Sequence, residues 1–401
     1  MSTEGFGMLS NSANPLTGRD RNISLTAVIV SAFFVGAAFG LGYPVAALKV
    51  TASGAPEWVV GLIGAAPSLA IFLMLPYMPK IVRRTGAADA LLYSGLGSAV
   101  CYLALIFTDD TLAWIVIRFV MGANIGMWWL VSQTWVAVIS DEATRGRVLA
   151  LYVMAFSSGM AACPAALEYA DVAGPVPLLA GALVSALTII PAIVARNIAP
   201  AVDDIGSDTS SVRQALTWAP MAMAGSFLNG YIELIHMGLL PNAGLASGLD
   251  QTAALRLLTL FLVGALTMQL PFGWLADKLP PKPLALVVTG LLGIACAALP
   301  LALTDGVLSA VVAYAIGGMI YGLYTVCLAI VSDIKDVPDA GASNAAFIMC
   351  YQAGGVLGPL MTGAAMSVSP VPGFAAVQVA GIVVIALVMC GTLYRGRQRA
   401  P

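Results

Sequence analysis

Residues 307–331 read VLSAVVAYAIGGMIYGLYTVCLAIV, 25 consecutive positions without a charge. At 1.5 Å per residue such a helix crosses a bilayer core about 30 Å thick, for which about 20 mostly apolar residues suffice. The run is continuously apolar, with none of the every-second-residue alternation of an outer-membrane strand, so a helix is predicted. It closes on Ala329-Ile330-Val331-Ser332-Asp333, and the same pattern, Ala137-Val138-Ile139-Ser140-Asp141, closes another apolar run 192 residues earlier.

Working outward, eleven more such runs are bounded by charges, Gly or Pro. The twelve predicted spans have cores at 23–50, 58–78, 87–107, 112–139, 148–169, 176–194, 218–240, 252–275, 283–302, 307–331, 344–367 and 374–393. Composition agrees: 60% of residues are hydrophobic, 9% are charged and the mean hydropathy is +0.92, which excludes a water-soluble domain. The first run is nearly 30 residues long, whereas a signal-peptide core is about 7–15, so it is expected to stay as span one. The fold class expected is therefore an all-α membrane protein of twelve transmembrane helices.

The net charge of −2 is uninformative, but the sorting of basic residues is not. With the amino terminus inside, Arg19, Arg21, Lys80, Arg83, Arg84, Arg145, Arg147, Arg196, Arg213, Lys278, Lys282, Lys335, Arg395, Arg397 and Arg399 share one side, 15 of the 18 Lys and Arg. The positive-inside rule then predicts both termini in the cytoplasm. The six cysteines, Cys101, Cys163, Cys296, Cys327, Cys350 and Cys390, fall inside apolar runs without metal-ligand or CxxC spacing and read as small core hydrophobes. There is neither a phosphate-binding loop nor a dinucleotide fingerprint, so no cofactor is expected and the energy source must be a gradient.

An internal repeat organises the spans. Phe33-Phe34-Val35-Gly36 lines up with Phe227-Leu228-Asn229-Gly230 at an offset of 194, and Gly122-x-x-x-Gly126 sits in span four as Gly318-x-x-x-Gly322 does in span ten. Between the repeats, residues 196–217 carry Asp203, Asp204, Asp208 and a Ser/Thr cluster, which read as a linker. The expected organisation is a cytoplasmic tail (1–22), a six-helix bundle (23–195), the linker (196–217), a second pseudo-symmetric bundle (218–394) and a short tail (395–401).

These residues resemble the major facilitator superfamily, over essentially the whole chain. Gly264-x8-Gly273-Trp274-Leu275-Ala276-Asp277-Lys278 is similar to that family's loop signature, and the resemblance implies a conformational latch at Asp277. The first-half counterpart keeps Arg83, Arg84 and Gly86 but has Arg83 where the family usually has Asp. Arg118-x-x-x-Gly122 looks like the family's span-four motif. Gly354-x-x-x-Gly358-Pro359 resembles its helix-five element, here displaced to span eleven, where small residues letting helices approach explain the glycines first.

Several residues carry chemistry independently of the resemblance. Arg118 at membrane depth costs about 2.5 kcal/mol or more unless it faces water, a carboxylate or, by snorkelling, the outer headgroups. Span seven holds Asn229, Tyr231, Glu233 and His236; the last two are three apart and share a face, where an acid and an imidazole can take up and release a proton. Arg256, at the start of span eight, is a candidate partner for Glu233 or for an anionic solute, or else belongs to the loop with Asp250. Glu168 and Asp171 are expected to face a loop. Trp128, Trp129, Gln133 and Trp135 in span four, with Tyr321 and Tyr324 in span ten, are of the kind that line solute pockets, although helical geometry forbids all of them from facing one.

The function expected is secondary active transport of a small solute by alternating access, coupled to protons through Glu233 and His236, in a bacterial inner membrane. A uniporter or exchanger of an organic anion held by Arg118 and Arg256 is the alternative, ahead of a membrane enzyme or receptor. The expected partners are a small-molecule solute, protons and the bilayer, not nucleic acid, and the chain is expected to act as a monomer.

Overall fold

The computed structural model describes residues 18–141, 144–172, 174–194, 196–199, 216–332 and 340–398. Asp203, Asp204, Asp208, Arg213, Asp333, Lys335 and Arg399 lie outside the described residues. Among those described, all regular structure is helical. Span one is Gly18–Ala52, two Glu57–Met74, three Ala87–Ala104, four Thr111–Ile139, five Arg145–Leu167, seven Pro220–Ala246, eight Gln251–Lys278, nine Pro281–Ala302, ten Gly306–Ser332, eleven Ala340–Val368 and twelve Pro370–Gln398. Span six is broken into Val176–Leu187 and Ile189–Val194, with the Thr188 hydroxyl donating to the Ser185 carbonyl at 2.6 Å and Pro191 following.

The connection between spans two and three departs from the expected outline. Span two ends at Met74 and not at 78, because Pro76 stops the helix, and a separate helix, Met78–Thr85, follows. It is amphipathic: Met78 and Val82 are buried while Lys80, Arg83 and Arg84 are exposed. Gly86 ends it at φ 87°, a left-handed conformation that a side chain would strain.

Acidic caps start three of the spans that run toward the termini side. Asp110 accepts from the Ala113 N–H at 2.8 Å before span four, Asp250 from Ala253 at 2.7 Å before span eight, and Asp305 from Val307 and Leu308 at 2.9 and 3.0 Å in span ten. Each satisfies an orphan donor and sets a negative charge at the positive end of a helix dipole.

Among the described residues, eleven helices are long and apolar enough to cross a membrane. Span seven is the twelfth, and its Asn229, Glu233, His236 and Asn242 keep it out of that set. It is also the most enclosed, with 22 of its 27 residues buried against spans one, two, eight, ten, eleven and twelve. A helix shielded from lipid by protein does not need an apolar surface.

The repeat is physical as well as textual. Span one crosses span five where a Cβ on Gly36 would strike the Phe156 carbonyl and one on Gly159 the Phe33 carbonyl. Span seven crosses span eleven the same way, Gly230 facing the Tyr351 carbonyl and Gly354 the Phe227 carbonyl, at offsets of 194 and 195. Spans two and four meet at Pro67 and Gly122, and spans eight and ten at Phe261 and Gly317. Gly122 thus corresponds to Gly317, one residue from the Gly318 that sequence spacing suggests. Such backbone-to-backbone approach gives tight packing where burial of apolar surface supplies no drive between helices. Gly354→Val is expected to destabilise by about 1–3 kcal/mol through overpacking, read as a lower melting temperature in detergent. Gly290→Val, with nothing within 4 Å, should stay within about 0.5 kcal/mol.

Candidate solute and proton site

Polar groups of the second half converge on Glu233. The halves touch through spans one and seven, two and eleven, and five and eight. Glu233, 4% exposed, lies beside this boundary, because the Tyr321 hydroxyl that bonds its carboxylate is also 3.9 Å from the Met160 Sδ of span five. The Tyr321 hydroxyl of span ten donates to its Oε1 at 2.6 Å, the Asn229 Nδ2 lies 3.5 Å from Oε2, and the Tyr351 hydroxyl of span eleven lies close to the same carboxylate. Among the described residues no cation pairs with Glu233. Its ligands are neutral hydroxyl and amide donors, a set that tolerates both the charged and the protonated acid.

Arg118 is 2% exposed, so it does not snorkel. Its guanidinium stacks 4.6 Å from the centroid of Tyr43 in span one, and its Nε and Nη2 find no hydrogen-bond partner. Gly42 leaves room for the Arg118 Nη1 and the Tyr102 hydroxyl, which would lie 2.7 and 2.8 Å from a Cβ there. Tyr43 also reaches the second half, 3.9 Å from where a Gly238 side chain would begin. It therefore stands between the buried Arg118 of the first half and span seven of the second. An unpaired buried guanidinium facing such a boundary is suited to an anionic or strongly hydrogen-bonding ligand.

The other expected residues divide. His236 does not join Glu233: its Nδ1 lies 2.9 Å from the Ile232 carbonyl and its ring stacks on Phe261 at 4.9 Å and meets Phe374 edge-on at 5.6 Å. Tyr231 donates to the Val377 carbonyl at 3.0 Å, inside the second half. Trp128 is packing, its N–H on Ser31 at 3.1 Å and its ring stacked on Tyr152 at 6.2 Å. Trp135 likewise donates to Ser24 at 2.8 Å. Trp129, the neighbouring tryptophan, meets Tyr351 across the boundary at 6.3 Å, and Gln133 one turn on is half-buried on the same face. Tyr324 is half-buried with its ring against Phe347 at 5.2 Å. Tyr43 and Tyr351 were missed by the sequence reading; the offset of 195 that places Tyr351 opposite Phe156 was a usable signal for the latter.

Arg256 pairs with Glu168 at 3.3 Å and not with Glu233. Glu168 also accepts from the Thr259 hydroxyl at 2.8 Å, while its carbonyl takes Thr252 at 3.3 Å, so it joins spans five and eight. On the same far side, Asn242 donates to Thr51 at 2.6 Å and to Glu57 at 2.9 Å, and the Trp58 N–H to Ser367 at 2.9 Å. On the termini side the two ion pairs, Arg21–Asp141 and Arg196–Asp89, lie within the first half. There the halves meet through Leu75 and Met78 against Ile348.

The motif residues have packing roles or are free. Gly264 lies under the Tyr314 carbonyl, a Cβ at Gly273 would lie 3.8 Å from Thr325, Gly358 faces the Tyr231 carbonyl, and Pro359 meets Gly61 of span two. Asp277 is exposed with no ion pair among the described residues, and Lys278 lies 4.1 Å from the centroid of Trp274. Arg83 and Arg84 are exposed. The six cysteines are free thiols, and among the described residues no three His, Cys, Asp or Glu side chains gather as a metal site.

Comparison with known proteins gives this geometry a family. The model of the Major Facilitator Superfamily matches residues 23–220 and 222–401. The chain belongs to the major facilitator superfamily. YfkF of Bacillus subtilis, described as an uncharacterized MFS-type transporter, is 24% identical over 335 residues, 81% of this chain and 84% of the relative. YcaD of Salmonella enteritidis, described in the same words, is 22% identical over 308 residues, 76% and 78% of the two chains. Among solved structures, the nucleoside transporter NupG superposes with a TM-score of 0.72 at 12% identity, over 92% of this chain and 99% of its own. A bacterial homolog to the human lysosomal transporter Spinster, inward-facing and unoccupied, gives 0.73 at 11% identity over 93% and 95%. Both likenesses concern the fold. This superfamily member is a multi-pass membrane transporter of twelve spans, not an enzyme.

Proposed function

We propose that the protein is a proton-coupled secondary transporter of a small solute that works by alternating access, as a monomer, in a bacterial inner membrane with both termini in the cytoplasm. The observation that carries this reading is Glu233, buried beside the boundary of the halves and held by neutral donors from spans seven and ten. Residues 23–195 and 218–394 rock about that boundary, joined by 196–217. The far side is tied by Glu168–Arg256 and Asn242–Glu57, whereas the Asp277 latch makes no ion pair among the described residues, a pattern that fits a state closed to the outside. The test is solute flux in proteoliposomes with and without a pH gradient, wild type against Glu233→Gln, after a thermal-shift screen of nucleosides, sugars, amino acids and organic anions finds a ligand.

Exchange of an organic anion without protons is favoured by one observation, the free Nε and Nη2 of Arg118; Arg256, tied to Glu168, takes no part in it. Opening the far side must break the Glu168 contacts. Glu168→Ala is expected to enlarge the far-side-open population about fivefold, the worth of a half-exposed ion pair at about 1 kcal/mol, as a longer distance between spin labels at Ser53 and Ser247. An unchanged distance distribution removes Glu168 from the gate.

A further inference from the structure

A groove of about 700 Å³ opens on the membrane-facing surface between span one and the second piece of span six. Arg19, Asn22 and Thr26 form a polar ladder along one face of span one, and Ile23, Val30, Ile190 and Val194 supply apolar walls. Val30 is 43% exposed, Ile190 57% and Val194 54%, so these walls are bare to the bilayer. From Arg19 to Val30 is eleven residues, about 16 Å of helix, and one leaflet of hydrocarbon is about 15 Å deep. The groove thus grades from cation and amide at headgroup depth to hydrocarbon near the midplane, within a single leaflet.

Charge decides the occupant. Arg21 is neutralised by Asp141 and Arg196 by Asp89, but Arg19 makes no ion pair among the described residues. A cation left free at the mouth of an apolar groove between transmembrane helices is complementary to a phosphate that carries acyl chains. We infer that this groove is a specific site for one anionic phospholipid, its phosphate on Arg19 and Asn22 and an acyl chain along Val30, Ile190 and Val194. The lipid bridges spans one and six of the first half, supporting span six where its helix is interrupted at Thr188.

The full chain, purified in dodecyl maltoside and stripped of lipid, tests this by native mass spectrometry and thermal shift with dioleoyl phosphatidylglycerol. One tightly retained lipid and a raised melting temperature are expected. Arg19→Gln should weaken retention about fivefold, the value of one basic side chain near an anionic surface, and Val30→Trp should fill the groove and remove it. Should Val30→Trp fail to fold, Arg19→Gln, at an exposed position, still decides. Equal retention of dioleoyl phosphatidylcholine, or no effect of Arg19→Gln, would overturn the site as non-selective apolar contact. Competition by glycerol 3-phosphate as strong as by the lipid would overturn it too, by showing an anion site without a chain.

Discussion

Glu233→Gln is expected to abolish pH-gradient-driven accumulation in proteoliposomes, by tenfold or more, while solute exchange down its own gradient continues. Gln has the shape of Glu and its carbonyl still accepts from Tyr321, so packing at the boundary is kept. What it loses is the capacity to gain and release a proton as the site alternates between the two sides. A carrier locked in the neutral state cycles with solute alone, which is why exchange survives and uphill transport does not. Uptake that still follows the pH gradient in this variant would remove Glu233 from the coupling step.

Arg118→Met should split stability from function. The guanidinium is buried with Nε and Nη2 unsatisfied, an arrangement that costs about 2.5 kcal/mol or more in a transmembrane helix. Methionine fills similar volume without charge or donors. The variant is expected to melt several degrees higher in detergent and to lose binding of any ligand that raises the wild-type melting temperature through an anionic group. A variant that melts lower would show Arg118 to be a structural residue, and one that melts higher yet keeps full affinity would place the solute elsewhere. Together with Glu233→Gln, the pair distinguishes a proton site from a solute site, because each variant is measured for both coupling and affinity.

Most of the architecture was legible because the bilayer imposes a coarse rule on sequence. Twenty apolar residues mark a span whatever its neighbours, and the repeat near 194 residues showed as shared glycines. Contacts between halves were less legible, since they depend on which side of each helix faces inward. Trp128 and Trp129 differ by a rotation of 100°, and the apolar residues around them in span four leave that rotation unset. Glu233 and His236, three apart, are 60° apart around the axis, which is enough to send one toward span ten and the other toward spans eight and twelve. Arg256 finds Glu168 on span five, 88 residues away, a pairing visible only once spans five and eight are known to touch. Tyr43 was passed over because a tyrosine in a membrane helix is unremarked until a cation is found lying on its ring.

The polarity of span seven also bears on how the protein is made. A helix leaving the ribosome is sorted into the membrane by its own hydropathy, and an acid at its centre costs about 2.5–3.5 kcal/mol on insertion scales. Span seven emerges before spans eight, ten, eleven and twelve, which later cover Asn229, Glu233 and His236. It therefore inserts less readily by itself than the other spans, and the spans synthesised after it add to its stability in the membrane.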